Sequence, residues 1–263
     1  MKIIDTHAHL NHETYLGNLD EELRKIRESG VEKVIIPTVL PQDFEQVLKI
    51  CEEHDECFAG LGIQPEEVEN APADWESEII KFAKHPKVVA IGEIGLDYYW
   101  IKDEKNHEIQ KKFFETQILL ANELGLPILV HDREAHADTF EMLKRLAAKD
   151  IPVVMHCFSG SAEFAKQCVK RGMFLAFGGV TTFKNAKKAK EAVAATPLEN
   201  LLLETDSPYM TPEPHRGKPN SPAYLKFVCE KIAEIKGETF DTIAKATTEN
   251  AKRIFDFERH ERR

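Results

Sequence analysis

His7 and His9 stand in the stretch IIDTHAHL, residues 3 to 10, with one alanine between them. In an extended strand alternate side chains share a face, so the two imidazoles aim the same way. Such a pair is either a hydrogen-bonded couple or the beginning of a metal site, and a metal site needs further ligands elsewhere. The chain offers them where other apolar runs end: Glu93 in VVAIGEIGLDYY, His131 in PILVHDR, His156 in PVVMHCFSG, and Glu204 and Asp206 in LLLETDSP. Thr38, Gln64 and the Gly178–Gly179 pair close the remaining runs and are not strong ligands. His7, His9, Glu93, His131, His156 and Asp206 together exceed what one tetrahedral zinc with an open position uses. They suit two divalent cations ~3.5–4 Å apart, sharing a carboxylate and a water, which is chemistry for hydrolysis. Asp206 and Glu93 are the catalytic candidates of the set. The other seven histidines, His260 among them, fall in expected helices or loops and read mostly as surface residues.

Side chains so far apart in sequence need a scaffold that brings strand ends together. Eight apolar, strand-like runs recur along the chain: KIID, EKVIIPTV, CFAGLGI, VVAIGEIGL, PILVHD, PVVMHCF, MFLAFGG and LLLETD. Most are continuous rather than alternating, as parallel strands covered on both faces are. Helical patterns lie between them. LDEELRKIRESG spaces Leu19, Leu23 and Ile26 for one face and stops at Gly30. EIQKKFFETQILLANELG places Ile109, Phe113, Leu120 and Leu124 on one side and stops at Gly125, and SAEFAKQCVKRG runs from a Ser161 cap to Gly172. The last segment reads as two closing helices broken near Gly237. Eight strand–helix units of about 33 residues match a (β/α)8 TIM barrel of ~250 residues, whose active site lies at the C-terminal ends of the strands. A doubly wound sheet would carry a G-x-G-x-x-G after its first strand, which is missing here. No linker or repeat interrupts the pattern, so residues 1–263 are expected to form a single domain.

Composition narrows the function. The formal charge is −10, from 35 Lys and Arg against 45 Asp and Glu. That excludes a general nucleic-acid coat, which relies on clustered cations, but not an enzyme that meets phosphates through metal ions. The N-terminus does not read as a signal peptide, and no apolar run approaches the ~18 residues of a membrane span. Five cysteines without a C-x-x-C pair point to reduced thiols and a cytoplasmic location.

The stretches DTHAHL, IGEIGLDYY, HCFSGS, FGGVTTFKNAKK, LLLETDSPYMTP, HRGKPNSP and NAKRIF, spread from residue 5 to residue 255, closely resemble the TatD family of metal-dependent deoxyribonucleases, within the amidohydrolase-like barrels. The resemblance implies that His7 and His9 hold a first metal with Asp206, that Glu93 bridges two metals, and that His131 and His156 hold the second. It makes Glu204 an acidic residue behind the ligands. It puts Arg216 and Asn220, on the loop after the last strand, at a substrate phosphate. Where the family often has a histidine in a G-x-H-P context, this chain reads GIQP, so Gln64 stands there as a neutral donor. The implied cofactors are two divalent ions, Mg, Mn or Zn. The implied substrate is single-stranded or end-frayed DNA, cut at phosphodiester bonds, often from 3′ to 5′. No membrane or obligate protein partner is expected.

Two other classes share these residues. The same metal pair could hydrolyse an ester or amide, as in an aminoacyl-tRNA deacylase, and a barrel could persist as a non-catalytic binding module, which six intact ligands argue against. Asp97 in GLDYY reads either as support behind a ligand or as a turn residue. Tyr98, Tyr99 and Trp100 read either as stacking groups for a base or as packing under a loop.

Overall fold

The computed structural model describes residues 2–258, so His260 lies outside the described residues. Its eight strands are β1 (Ile3–Asp5), β2 (Val31–Pro37), β3 (Cys57–Leu61), β4 (Val88–Asp97), β5 (Ile128–Arg133), β6 (Val153–Met155), β7 (Phe174–Phe177) and β8 (Leu201–Leu203). They follow chain order in one sheet. Each parallel step is bridged by a helical segment, as parallel neighbours require. β1 also meets β8: Thr6 N donates to Leu203 O at 3.1 Å, and Ala8 bridges Ser207 in parallel. The fold is the (β/α)8 TIM-barrel class.

The chain packs as two compact units. One takes the stretch through Ile36 and Cys157–Ile254; the other takes Pro37–His156 and the stretch from Phe255. In the first, Ile3, Leu175, Leu201, Leu202 and Leu203 are buried, as strands covered on both faces demand. Helix Leu19–Glu28 buries Leu23 and Ile26. Helix Ala162–Lys170 starts where Ser161 Oγ accepts from Phe164 N at 3.2 Å, the expected cap. Helices Leu225–Lys236 and Phe240–Ile254 are parted by Gly237, whose φ of 67° is the left-handed turn that glycine adopts without penalty.

In the second unit all ten residues of β4 are buried. The long helix Glu104–Leu124 ends at Gly125 as expected, but its inward face differs from the expected one. Of the four expected positions Leu120 is buried, but Ile109, Phe113 and Leu124 are only half-buried, and the buried stripe runs through Asn106, Gln110, Phe114, Gln117, Ile118, Leu120 and Ala121. The reason is hydrogen bonding. Gln117 accepts from Ile63 N at 2.7 Å and donates to Ile63 O at 3.2 Å, and Gln110 treats Asp97 the same way, at 2.9 and 3.1 Å. Each amide side chain imitates a peptide group and satisfies buried backbone just after β3 or at the end of β4. An apolar count cannot see an inward glutamine. Among the described residues no helix is long and apolar enough to cross a membrane.

Candidate metal centre

In the first unit the chain leaves β1 into Thr6–Leu10 while held on both sides. Ala8 N donates to Ile35 O at 3.0 Å, His9 N to Ser207 O at 2.8 Å, and Asp206 N to His7 O at 2.9 Å. Asp5 organises this crossing. Its Oδ1 accepts from His7 N at 3.2 Å and Thr205 N at 3.0 Å, and its Oδ2 accepts from Thr205 Oγ1 at 2.6 Å. Burial pushes the Asp5 carboxyl up to about 7, against the pull of those bonds. The sequence reading passed over Asp5. Its signal was an acid that no apolar strand needs, placed directly before T-H-A-H.

The framework aims three ligand atoms at one point. His7 Nε2 lies 3.4 Å from His9 Nε2, and Asp206 Oδ1 lies 4.0 Å and 3.6 Å from them. Two imidazole nitrogens that close cannot both present protons. A point equidistant from all three atoms lies about 2.1 Å from each, which is the bond length of zinc to nitrogen or carboxylate oxygen. The donor set and its spacing therefore fit a divalent cation. Asp206 reaches the place from a left-handed backbone, φ 56°. Glu204, fully buried, accepts from Cys157 N at 2.6 Å and so fixes the residue that follows His156.

In the second unit Glu93 is re-aimed by a bulge. Ile91 pairs with Ile128 and Ile94 with Val130, so β4 fits three steps where β5 fits two. Gly92 and Gly95, at φ 157° and 151°, make the close approach possible: a Cβ on Gly92 would sit 2.5 Å from Leu129 Cβ, and one on Gly95 would sit 1.9 Å from His131 O. The buried Glu93 Oε1 then lies 2.7 Å from His131 Nδ1 and 3.8 Å from His156 Nε2. These three residues form a second ligand cluster of the same composition.

His131 is gripped at both nitrogens, because its Nε2 lies 2.9 Å from Asp97 Oδ2. Burial works to lower the His131 ring, but the Asp97 and Glu93 carboxylates outweigh it and raise it to about 10. Burial likewise works to raise Asp97, and hydrogen bonds from His131, Trp100 and Tyr99 hold it below the usual carboxylate range. Asp97 is thus both support and turn residue: one oxygen orients the ring, and the other caps the backbone of Tyr99 and Trp100. Gln110 fixes Asp97 in turn. Asp97→Asn keeps an acceptor for the two backbone donors but loses the anion behind His131. It is expected to weaken metal affinity by ~10–100-fold, as loss of such an outer partner does. A Mn2+ titration against wild type checks this.

The expected substrate-side residues divide. Arg216 is exposed, with its guanidinium 3.9 Å over the Phe183 ring and Nη1 at 3.5 Å from Thr211 O. Gln64 lies half-buried directly after β3, with its backbone N–H on Val39 O at 3.0 Å. Asn220 does not meet the expectation of a donor offered to phosphate. Its two amide hydrogens go to Thr205 O at 2.9 Å and Tyr209 O at 2.6 Å, and its Oδ1 accepts from Ser221 N at 2.8 Å. It is 1% exposed, and what it does is latch the loop that carries Asp206.

Comparison with known proteins shows the family. The family model described as TatD related DNase matches residues 4–256. The chain is 45% identical over 253 residues to the uncharacterized metal-dependent hydrolase YabD of Bacillus subtilis (strain 168), covering 96% of this chain and 98% of that protein. It is 36% identical over 259 residues to the uncharacterized metal-dependent hydrolase YcfH of Escherichia coli (strain K12), covering 97% and 96%. The crystal structure of YjjV, a TatD homolog from Escherichia coli K12, superposes with a TM-score of 0.91 at 32% identity, covering 97% of this chain and 98% of that one. Strand ends that present imidazoles and carboxylates in two clusters, on a barrel that these relatives share from end to end, mark the chain as a member of the TatD family of metal-dependent hydrolases.

Proposed function

We propose that this hydrolase is a deoxyribonuclease of the 3′–5′ exonuclease type, a cytoplasmic enzyme that cleaves phosphodiester bonds of single-stranded or frayed DNA with two divalent cations, Mg, Mn or Zn. The observation that carries the reading is the His7–His9–Asp206 triangle, whose three ligand atoms lie 3.4 to 4.0 Å apart. The two ligand clusters are read as halves of one centre. With two ions bound, His7, His9 and Asp206 would hold one, His131 and His156 would hold the other, and Glu93 would be shared. When bound, such a pair lowers the pKa of a water and offsets charge on phosphoryl oxygens. Asp206 accepts the proton of the attacking water on its carboxylate, with His7 and His9 fixing its orientation. Asp97 keeps His131 from rotating, and Glu204 holds the backbone that follows His156.

Arg216 is read as the phosphate ligand, because its planar fork matches two phosphate oxygens and stacking on Phe183 limits its freedom. Arg216→Ala is expected to leave metal content unchanged and weaken DNA cleavage by ~1.5–3 kcal/mol, the worth of a hydrogen bond to a charged group. Gln64→His is expected to leave cleavage unchanged or raise it. Oligonucleotide kinetics at fixed salt check both. A second reading, hydrolysis of an ester or amide, is favoured by one feature: Gln64 is neutral where the family often has histidine. Incubating the protein with labelled single-stranded DNA and with an ester panel, each with and without EDTA, separates the two. EDTA-sensitive cutting of DNA supports the nuclease; EDTA-sensitive ester turnover with intact DNA overturns it.

A further inference from the structure

Next to His131, the second unit exposes two large aromatic rings that its core does not use. Tyr99 is 42% exposed and Trp100 58%. Their neighbour Tyr98 is packed instead: its ring stacks on His107 at 3.9 Å, and its hydroxyl donates to Asp138 at 2.8 Å. The two exposed rings meet edge to face at 4.9 Å. The Arg133 guanidinium lies 4.1 Å from the centre of Tyr99 and 5.1 Å from that of Trp100, and Lys102 Nζ lies 5.0 Å from Tyr99. The pair is also fixed in place. Asp97 Oδ1 accepts from Tyr99 N at 2.8 Å and Trp100 N at 2.7 Å, while Oδ2 of the same carboxylate grips His131. One side chain therefore sets the distance between an aromatic surface and a metal ligand.

We propose that Tyr99, Trp100 and Arg133 form a stacking platform for a nucleobase of single-stranded DNA, next to the phosphate under attack. The position of that phosphate rests on the nuclease reading above. Flat rings crossed by cations suit a flat, electron-rich ring on an anionic backbone, and they do so in a chain that is acidic as a whole. Every base has a π-face, so the platform is tolerant of sequence. A paired base has both faces covered by its neighbours in the duplex. The platform thus selects an unstacked strand over a duplex.

The chain has two tryptophans. Trp75 is 8% exposed and stacks on Phe113 at 4.8 Å, so Trp75→Phe leaves Trp100 as the only indole and as a reporter. Mn2+-loaded Trp75→Phe protein is titrated with a nuclease-resistant phosphorothioate oligothymidylate and with an abasic phosphorothioate strand of equal length. Saturable quenching by the first, at a Kd about tenfold or more below that of the second, is the expected result. Trp100→Ala, read by anisotropy of a labelled strand, is expected to raise Kd about 5- to 150-fold for the base-bearing strand and little for the abasic one, the range for loss of one base–aromatic stack. Trp100→Phe restores most of it. Equal Kd for the two strands, no binding of either, or an unchanged Kd in Trp100→Ala overturns the platform. Cleavage of an unmodified strand by wild type is scored separately. Cleavage without base dependence removes the platform and leaves the nuclease, whereas base-dependent quenching without cleavage removes the nuclease.

Discussion

Replacing Glu93 with Ala is expected to lower hydrolytic activity by at least ~10³-fold, about 4 kcal/mol of transition-state stabilisation, and more than His7→Ala or His156→Ala does. Glu93 is 2% exposed, and its Oε1 faces both His131 Nδ1 and His156 Nε2. Truncation removes the one carboxylate of that cluster and leaves two imidazoles without an anion between them. In the shared-ligand reading it also strips a donor from both ions, whereas a histidine variant strips a donor from one. Steady-state kinetics with metal analysis of each variant decides the order. A Glu93→Ala enzyme that keeps more activity than His7→Ala would show that Glu93 is not shared. Glu93→Gln provides the check on folding, since it preserves volume and one acceptor while removing the charge.

Asp206→Asn is expected to cut kcat by ~10²–10⁴-fold, the contribution of a positioned general base, with little change in melting temperature. The choice of Asn follows from the backbone. Asp206 sits at φ 56°, a conformation that Asn tolerates and that Ala adopts at a cost of roughly 1–2 kcal/mol. Asn also keeps an oxygen toward His7 and His9 but cannot take up a proton near neutral pH. Asp206→Ala should therefore lose both activity and stability, and the difference between the two variants separates chemistry from folding. Thermal denaturation beside kinetics is the measurement. An Asp206→Asn enzyme with wild-type kcat would remove Asp206 from the proton step.

The parts of this molecule that sequence disclosed are those with a local physical signature. Continuous apolar runs disclosed all eight strands, because both faces of each are covered. Gly125 and Gly237 marked helix ends because a left-handed residue is required there. The ligands stood out because imidazoles and carboxylates at strand ends are poor packing groups. What sequence hid was polar contact at a distance. Gln110 and Gln117 carry no apolar signal, yet they face inward because the backbone of Asp97 and Ile63 needs partners. Asp5 shows no role in the sequence, but its carboxylate ties together the backbone N–H groups of His7 and Thr205. The family resemblance implies a phosphate donor at Asn220, and only the position of Thr205 O and Tyr209 O shows that its hydrogens are already spent. The bulge at Gly92–Glu93 was legible as G-E-I-G only to the extent that two glycines flank a buried acid.

Diffraction from Mn2+-soaked crystals, collected at the manganese edge, tests the proposed two-cation centre most directly. Two anomalous peaks are predicted, one bonded to His7, His9 and Asp206, and one bonded to His131 and His156, with Glu93 between them. Absence of a peak at the His7–His9–Asp206 triangle, in crystals that bind manganese elsewhere, would contradict it.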